Sequence, residues 1–301
     1  MVNLLHILTD TSFYATIIRV STPLLFASMG ALIASLAGTP NVALEGIMLF
    51  SAFSGTIVSA LTQSLFLGLL GGLTSAFILS MILCVFSLKY KANIILTAIA
   101  INILSSGLTV FLLSVVSGQK GNTSSLKSVV FPQIHFGFLE KISVLNEILN
   151  NHNALTYCAF ISVFVVYLLI KKTPFGTHLK AVGENPEAAV SVGLSVKKIK
   201  AMALIISGLL AGLGGMFLSM GYISWFTRDM TGGRGWIALA AQALGGKSVI
   251  GVTLSSLLFS TGESLSYSLQ MADIPNELVQ SIPFIMTIVV LLVYLKVSDH
   301  R

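Results

Sequence analysis

The sequence contains very little charge. Only 9% of its 301 residues are Asp, Glu, Lys or Arg, whereas 55% are hydrophobic, and the mean hydropathy is +0.92. Soluble domains usually carry about 25% charged residues, so this chain has too few to cover a water-facing surface. Lipid must be its main solvent. This predicts an all-α polytopic membrane protein, because a helix satisfies its own backbone hydrogen bonds inside a bilayer.

Cysteine is equally scarce, with two in the whole chain. Cys84 and Cys158 lie far apart in apolar runs, which excludes a disulfide framework and indicates small packing residues. The five histidines form no spaced cluster, so we predict neither a metal nor a cofactor in this chain. The basic residues behind the net charge of +6 are scattered between apolar segments, which favours a topology signal over nucleic-acid binding.

Apolar runs long enough to span a bilayer recur along the chain. A spanning helix needs about 20 mostly apolar residues. The sequence predicts about eight such helices, at 12–37, 43–62, 64–87, 93–117, 154–170, 199–221, 248–269 and 279–295. A further run, WIALAAQAL at 236–244, is too short to cross alone and predicts a short discontinuous helix. We expect one transmembrane domain over 1–301, with one long external segment at 118–153.

Lysine and arginine are unevenly distributed between the connecting segments, and cytoplasmic loops are the ones enriched in them. Of the 17 in the chain, 11 fall on one predicted side: Lys89, Lys91, Lys171, Lys172, Lys180, Lys197, Lys198, Lys200, Lys247, Lys296 and Arg301. This side is predicted to be cytoplasmic and to hold the C-terminus. The number of crossings then places the N-terminus outside.

The stretch AQALGGKS at 241–248 matches the loose form of a phosphate-binding loop, but its surroundings do not. A true phosphate-binding loop follows a buried β-strand and opens a helix. Here an alanine- and leucine-rich helical run comes first, and Gly245 and Gly246 are typical of a helix end. We predict no nucleotide site in this chain.

A polar segment at 171–200 is much longer than a turn between two spans requires. Within it, Asn185 can cap a helix that has Pro186 at its first position and Glu187 in its first turn, and Gly193 can end that helix. The pattern predicts a short cytoplasmic helix held between two spans. By itself it fits an ordinary connector as well as a docking element.

Two predicted helical segments are interrupted by proline or glycine, one in each half of the chain. The first, PNVALEGIML at 40–49, carries Pro40, Asn41 and Glu45. Asn41 and Glu45 lie four residues apart, and so on one face of any helix that starts there. A carboxylate at membrane depth must pair internally or face a polar cavity; a position at the membrane interface is the alternative.

The second interrupted segment, TGGRGWIALAAQALGG at 231–246, contains Arg234 and Trp236. These side chains suit hydrogen bonding to a hydroxylated ligand and stacking on a base, or else are a surface charge and an interfacial aromatic. Asn102 either lines a pathway or joins helices by hydrogen bonds. Interrupted helices in both halves are typical of transporters with a site near mid-membrane. The predicted substrate pathway comprises Asn41, Glu45, Asn102, Arg234 and Trp236.

GENPEAAVSVGLSVKKIK at 183–200 resembles the cytoplasmic signature of permease subunits of ABC importers for nucleosides, ribose-type sugars and branched-chain amino acids. STPLLFASMGALIASLAG, PNVALEGIML and TGGRGWIALAAQALGGKSVIG extend the resemblance over nearly the whole chain. The Asn-x-x-x-Glu-Gly pattern at 41–46 is similar to that of the nucleoside branch. The resemblance implies docking of the segment in a groove of an ATPase subunit through Gly183, Glu184, Asn185, Pro186, Ala188, Ala189 and Gly193.

The resemblance further implies a nucleoside permease of the bacterial inner membrane, without catalytic residues of its own and driven by ATP and Mg²⁺ on a partner ATPase. The other implied partners are a second, paralogous permease and an external substrate-binding lipoprotein. Two alternatives stay open. One is a permease for a ribose-type sugar or a branched-chain amino acid; the other is an ion-coupled secondary transporter in which Glu45 or Glu263 carries a proton.

Overall fold

Helices make up most of the chain in the computed structural model, which describes residues 10–118, 121–137, 140 and 143–270. In chain order they are α1 Thr11–Leu36, α2 Leu44–Thr62, α3 Leu65–Cys84, α4 Ile94–Ser117, α5 Ser143–Leu149, α6 Ala154–Lys172, α7 Pro174–Glu184, α8 Pro186–Ser191, α9 Val196–Met220, α10 Arg234–Gly245 and α11 Val249–Leu269. A π-helical turn, Val85–Lys89, extends α3. The short strands β1 (Gln133–Ile134) and β2 (His152–Asn153) pair antiparallel.

Six of the described helices are long and apolar enough to cross a membrane: α1, α2, α3 with its π turn, α4, α6 and α9. They confirm the first six predicted spans, with ends that differ by only a few residues. The predicted span at 248–269 is a 21-residue helix, α11, whose many hydroxyl side chains and Glu263 make it more polar than the six. The predicted span at 279–295 lies outside the described residues, so the number eight stays a prediction.

Side-chain caps begin most of the long helices. Asp10 caps α1, Ser64 caps α3, Asn93 caps α4, Asn153 caps α6 and Ser248 caps α11. In each case a side-chain oxygen accepts a hydrogen bond from an N–H of the first turn. Such a cap satisfies a backbone donor that lipid cannot satisfy, so the sequence itself fixes where these helices start.

Helix α1 lies at the centre of the bundle, with α9, α10, α11 and α6 packed around its second half. Glycines of α1 and α9 allow close approaches between helix backbones. A Cβ on Gly30 of α1 would lie 2.6 Å from the backbone oxygen of Ser207, and a Cβ on Gly215 of α9 would lie 2.0 Å from that of Met48 in α2. Small residues replace the hydrophobic effect as the means of helix association in lipid, because they bring backbones into van der Waals contact.

The two ends of the bundle differ in their connecting segments. At one, the α7–α8 end, α7 and α8 join α6 to α9, and Val249 at the start of α11 belongs to the same buried cluster as Leu179 of α7. At the other, the β1–β2 end, backbone hydrogen bonds join residues 121–131 to residues 220–228. Helix α9 ends at the β1–β2 end, whereas α11 begins at the α7–α8 end.

The segment between α9 and α11 therefore crosses the bundle. Residues 221–233 enter it from the β1–β2 end without regular structure, and α10 completes the crossing over 12 residues, or about 18 Å. This confirms the predicted short discontinuous helix, with the bounds Arg234–Gly245 in place of 236–244. It also shows that the interruption is a crossing rather than a re-entrant hairpin.

The AQALGGKS stretch occupies the end of α10 and the turn into α11. A helix precedes its glycines, as the sequence predicted, so the strand required by a phosphate-binding loop is missing there. Gly246, with a φ of +63°, ends α10. A Cβ on Gly245 would lie 2.2 Å from the backbone nitrogen of Val252. The glycines thus serve a tight turn between two helices.

We expect Gly215→Ala to destabilise the bundle, because its new methyl group would meet the rigid backbone of Met48 rather than a movable side chain. Overpacking of this kind costs about 1–3 kcal/mol and lowers the thermal unfolding midpoint of the detergent-solubilised protein. Gly107→Ala in α4 is the matched control, since a Cβ at Gly107 meets nothing within 4 Å. Equal midpoints for the two variants would contradict the close approach of α9 to α2.

Candidate functional site

The two interrupted segments meet at Glu45. Because α2 begins at Leu44, Glu45 lies in its first turn, and its carboxylate reaches the first turn of α10. Glu45 Oε1 accepts a hydrogen bond from the N–H of Gly233 at 2.9 Å, and Oε2 accepts one from the N–H of Gly235 at 2.6 Å. A carboxylate at a helix N-terminus satisfies free donors and is stabilised by the helix dipole. Glu45 thus caps α10 from a neighbouring helix.

The glycines before and after Arg234 make this contact possible. Gly232 and Gly233 have φ values of +54° and +82°, a region that residues with a side chain rarely adopt. At Gly235, a Cβ would lie 2.5 Å from the backbone nitrogen of Glu45. Any larger residue here would push the N-terminus of α10 away from the carboxylate that caps it.

Asn41 and Asn102 hold the connection between α1 and α2. Asn102 of α4 accepts a hydrogen bond from the N–H of Gly46 at 2.8 Å and donates one to the carbonyl oxygen of Val42 at 2.9 Å. Asn41 donates from Nδ2 to the hydroxyl oxygen of Ser207 in α9 at 3.0 Å. Both asparagines therefore join helices through hydrogen bonds, one of the two roles that the sequence left open for Asn102.

The prediction that Asn41 and Glu45 share a helical face is wrong. Helix α2 begins only at Leu44, and Asn41 is fully buried in the turn before it. The side-chain oxygen of Asn41 accepts a hydrogen bond from the N–H of Ala43 at 3.1 Å. Such a local side-chain bond competes with helix formation, which explains why the helix starts after it.

Arg234 lies inside the bundle rather than at a surface. Its guanidinium forms an ion pair with Glu263 of α11, and the side chains of the two residues are only 16% and 10% exposed. The hydroxyl of Tyr267 accepts a hydrogen bond from Arg234 at 2.8 Å and donates one to Glu263 at 2.9 Å. The three side chains fix the start of α10 to α11, just as Glu45 fixes it to α2.

Arg228 and Asp229 form an exposed ion pair at the depth of the middle of α4. Their side chains are 63% and 58% exposed, and Ser106 donates a hydrogen bond to Asp229 at 3.4 Å. Ser106 lies about 18 Å from the start of α4 at Ile94 and about 17 Å from its end at Ser117. Charged groups at membrane depth border a water-filled cavity or another protein surface, because lipid cannot solvate them.

The substrate pathway predicted from the sequence does not include Arg228 and Asp229. It does include Trp236, which is about half exposed on α10. Arg228 and Asp229 belong to the irregular segment between α9 and α10. Only the backbone pairing of residues 220–228 with residues 121–131 and the descent into α10 bring them to this depth. The available signal was the adjacent opposite charges just before the glycine-rich interruption.

Helix α8 begins where the sequence predicts, directly after its cap residue Asn185. Asn185 Oδ1 accepts a hydrogen bond from the N–H of Ala188 at 3.0 Å, Pro186 occupies the first position of α8, and Gly193 follows the helix with a φ of +82°. The prediction of one helix in this segment was incomplete. Helix α7 precedes it, with Thr173 as its N-cap and Pro174 at its first position.

One face of α8 is buried and the other is open. Ala189 belongs to a buried cluster with Leu179 of α7 and Ile199 of α9. Val190 and Val192, by contrast, are 60% and 75% exposed. Glu184, Asn185, Pro186, Glu187 and Ala188 are exposed as well. The end of α8 thus presents valines on an otherwise polar segment.

The α7–α8 segment contacts the connection that leads to Glu45. A Cβ on Gly183 in the last turn of α7 would lie 2.0 Å from the backbone oxygen of Leu36 and 3.1 Å from the backbone nitrogen of Gly38. Asn41 follows three residues after Gly38. A movement of α7 must therefore shift the start of α2 or break this contact.

The β1–β2 end carries two histidines whose pKa values are shifted in opposite directions. The ring of His135 makes hydrogen bonds with Asn151 and Glu140 at 2.8 and 2.9 Å, and these raise the pKa of this exposed residue. His152 is buried, and burial lowers its pKa although its Nε2 lies 2.7 Å from the carbonyl oxygen of Ile148. As the pH falls, positive charge therefore appears at this surface first on His135.

Together these features define a multi-pass membrane transport protein. Several apolar helices cross the membrane, and a discontinuous helix completes a further crossing. Polar side chains of other helices hold its N-terminus inside the bundle, as in transporters built from broken helices.

The chain belongs to a known permease family. The family model described as "Branched-chain amino acid transport system / permease component" matches residues 13–291. The protein is thus a permease subunit of an ABC importer.

Several relatives match along nearly their whole length. The nucleoside ABC transporter permease NupC of Lactococcus lactis is 31% identical over 292 residues, covering 93% of this chain and 91% of the relative. The guanosine ABC transporter permease NupQ of Bacillus subtilis is 29% identical and covers 93% and 90%. A Haloferax volcanii permease provisionally named for glucose, TsgC13, is 31% identical and covers 91% and 88%.

A solved structure of PsaBC from Streptococcus pneumoniae in complex with a Fab has the same fold. It superimposes with a TM-score of 0.53 at 14% identity, covering 93% of this chain and 89% of that one.

We expect Glu45→Gln to loosen the N-terminus of α10. Glutamine keeps the shape of the side chain, but it loses the charge, and its NH₂ group faces one of the two N–H donors. Hydrogen bonds to a charged group contribute about 1.5–3 kcal/mol each, so amide exchange at residues 233–237 should accelerate by about 10- to 100-fold. Hydrogen–deuterium exchange on the purified protein measures this. Glu187→Gln, in the exposed first turn of α8, is the control and should leave amide exchange at residues 233–237 unchanged. Unaltered exchange at these residues in Glu45→Gln would refute the capping role.

Proposed function

We propose that this chain is the permease subunit of an ABC importer for nucleosides, driven by an ATPase that docks at the α7–α8 end. The observation that carries this proposal is the contact of Gly183 with Leu36 and Gly38, because it links the docking helices to the connection that holds α2 and, through Glu45, α10. A movement of α8 would in this way reach the middle of the membrane.

The nucleoside assignment rests on the relatives and on the chemistry of the exposed groups. Two permeases named for nucleosides and guanosine align over more than nine-tenths of this chain. Trp236 offers a half-exposed ring for stacking on a base, and Arg228 and Asp229 offer donors and acceptors for ribose hydroxyls. TsgC13 matches equally well, so a sugar is the closest alternative substrate. A nucleoside is preferred because it would use both the ring and the ion pair.

The proposed complex contains a second permease, a cytoplasmic ATPase and an external binding lipoprotein. Lysines cluster at the α7–α8 end, which supports a cytoplasmic position for this end in a bacterial inner membrane. The ATPase would supply the ATP and Mg²⁺ chemistry and would contact the exposed residues of α8. The second permease would complete the cavity that Arg228 and Asp229 border, and the lipoprotein would deliver substrate at the β1–β2 end.

The pathway proposed for substrate combines residues of both interrupted segments. Trp236, Arg228 and Asp229 would face the substrate, whereas Asn41, Glu45, Asn102 and Arg234 would position the helices that carry them. ATP-driven closure of the ATPase would displace α7 and α8, and with them the start of α2. Alternating access would follow as α2 and α10 move together, since Glu45 joins them.

An ion-coupled secondary transporter has less support. Such a transporter needs a carboxylate that is free to take up and release a proton. Both oxygens of Glu45 accept hydrogen bonds from backbone donors, and Glu263 is paired with Arg234. Both carboxylates are thus bound by groups of this chain and hold α10 in place, so neither is free for that role.

Uptake of labelled guanosine and uridine by cells that express the whole importer tests the substrate. Unlabelled adenosine should compete, whereas ribose, glucose and leucine should not. Trp236→Ala should lower nucleoside uptake by about tenfold, since stacking of a base on an aromatic ring contributes about 1–3 kcal/mol, and Trp236→Phe should restore most of it. Competition by glucose or ribose at the same concentration as adenosine would reject the nucleoside assignment in favour of a sugar.

We expect Val190→Asp to separate the permease from its ATPase. A charge on the exposed face of α8 would stand unpaired in the proposed interface, where key residues contribute 2 kcal/mol or more, so both co-purification of the ATPase and ATP-driven uptake should fall by at least about tenfold. Val144→Asp on the exposed surface of α5, at the β1–β2 end, is the matched control for co-purification. Retention of the ATPase by Val190→Asp would exclude α8 as the docking element.

A further inference from the structure

Helices α3 and α9 pack closely along most of their shared length and separate near the α7–α8 end. In the close region, a Cβ on Gly212 would lie 2.6 Å from the side chain of Ala76. Nearer the α7–α8 end, the thiol of Cys84 contacts the carbonyl oxygen of Ala201 at 3.7 Å. Beyond this contact the two helices leave a cavity of about 330 Å³, here called the α3–α9 groove.

The α3–α9 groove combines an apolar floor with a basic rim. The apolar lining residues are Met81, Cys84, Val85, Leu88 and Ala201, and the basic ones are Lys89, Lys197 and Lys198. No acidic residue is among the described residues that line it. Three positive charges around an apolar floor fit a ligand with an anionic head and a hydrocarbon tail.

The groove lies at the depth where lipid headgroups meet hydrocarbon. The helical run Leu65–Lys89 has 25 residues and is about 36 Å long, more than the hydrocarbon core of about 30 Å. Lys89 at its end therefore reaches the headgroup layer, and the floor lies just inside the hydrocarbon. Ile78 and Met81 are exposed on the outer face of α3, so a lipid chain can enter the groove from the side.

Two local features set this place apart from an ordinary helix end. The backbone of α3 changes to a π turn at Val85–Lys89, with the N–H of Tyr90 bonded to the carbonyl oxygen of Val85, and such turns are frequent at functional sites. Lys197 and Lys198 lie in the first turn of α9, where the helix dipole disfavours positive charge, and that turn itself contains no acidic residue. An anion bound between these lysines would be favoured by both their charges and the dipole.

We propose that the α3–α9 groove is a binding site for an anionic phospholipid of the leaflet at the α7–α8 end. Its phosphate contacts Lys89, Lys197 and Lys198, and an acyl chain lies over Met81 and Leu88. Basic clusters between membrane helices at the cytoplasmic surface have the charge and position to hold such headgroups. Helix α9 begins a few residues after α8 ends. A lipid bound between α3 and α9 would therefore hold the chain that leaves α8 against α3.

Native mass spectrometry of the assembled importer tests this site. The delipidated complex is titrated with phosphatidylglycerol or with phosphatidylcholine, and the retained lipid is counted. We expect preferential retention of phosphatidylglycerol, and a loss of that affinity by about 5- to 30-fold in the double variant Lys197→Gln and Lys198→Gln. The control is the double variant Lys171→Gln and Lys172→Gln. It also removes two neighbouring exposed lysines at the α7–α8 end, but these lie outside the groove, so this variant should retain the lipid.

A second variant separates lipid binding from simple phosphate binding and from protein docking. Ala201→Phe fills the floor and keeps every lysine, so it should weaken phosphatidylglycerol retention while leaving the weak binding of inorganic phosphate unchanged. The proposal is overturned by equal retention of the two lipids or by an equal loss in the Lys171 and Lys172 control. It is also overturned if the Lys197 and Lys198 variant releases the ATPase but keeps the lipid, since the lysines would then belong to a protein interface.

Discussion

The hydrogen bonds from α10 to Glu45 are the contact on which the rest of the site depends. A helix that starts inside a membrane exposes N–H groups that lipid cannot satisfy, and each unsatisfied group costs several kcal/mol. Glu45 satisfies two of them and neutralises the positive end of the dipole. This carboxylate therefore allows α10 to begin in mid-bundle, and it obliges α2 and α10 to move as one.

The same contact gives a physical route from one end of the bundle to its middle. Gly183 of α7 contacts the end of α1, and Asn41 and Asn102 hold the short turn that follows. Glu45 then joins the start of α2 to the start of α10, so a shift of one displaces the other. Arg234 then joins α10 to α11 through Glu263. Each step is a backbone contact or a polar bond between buried or half-buried groups, so there is little freedom for one element to move alone.

Much of the architecture could be predicted because single residues set it locally. Runs of apolar residues fix six spans, Asn185 and Pro186 fix the start of α8, and Gly246 fixes the end of α10. The site was predicted only in part. Asn41 and Glu45 were expected on one helical face, but the bond from the N–H of Ala43 to the Asn41 side chain delays the start of α2. Whether the N–H of Ala43 bonds to the Asn41 side chain or takes part in a helix depends on the surrounding packing. Here Ser207 of α9 accepts a hydrogen bond from Asn41 and holds its side chain in place.

The sequence by itself determined that this is a helical membrane protein with a capped polar segment between two spans and two interrupted helices, because composition, hydrophobic run length and caps act over a few neighbouring residues. Only the tertiary structure decided which groups meet. Glu45 and Gly235 are 190 positions apart, and Arg234 and Glu263 belong to different helices. Asp229 reaches the depth of Ser106 because its segment turns back into the bundle. Such pairings depend on how helices pack in three dimensions, which no short stretch of sequence encodes.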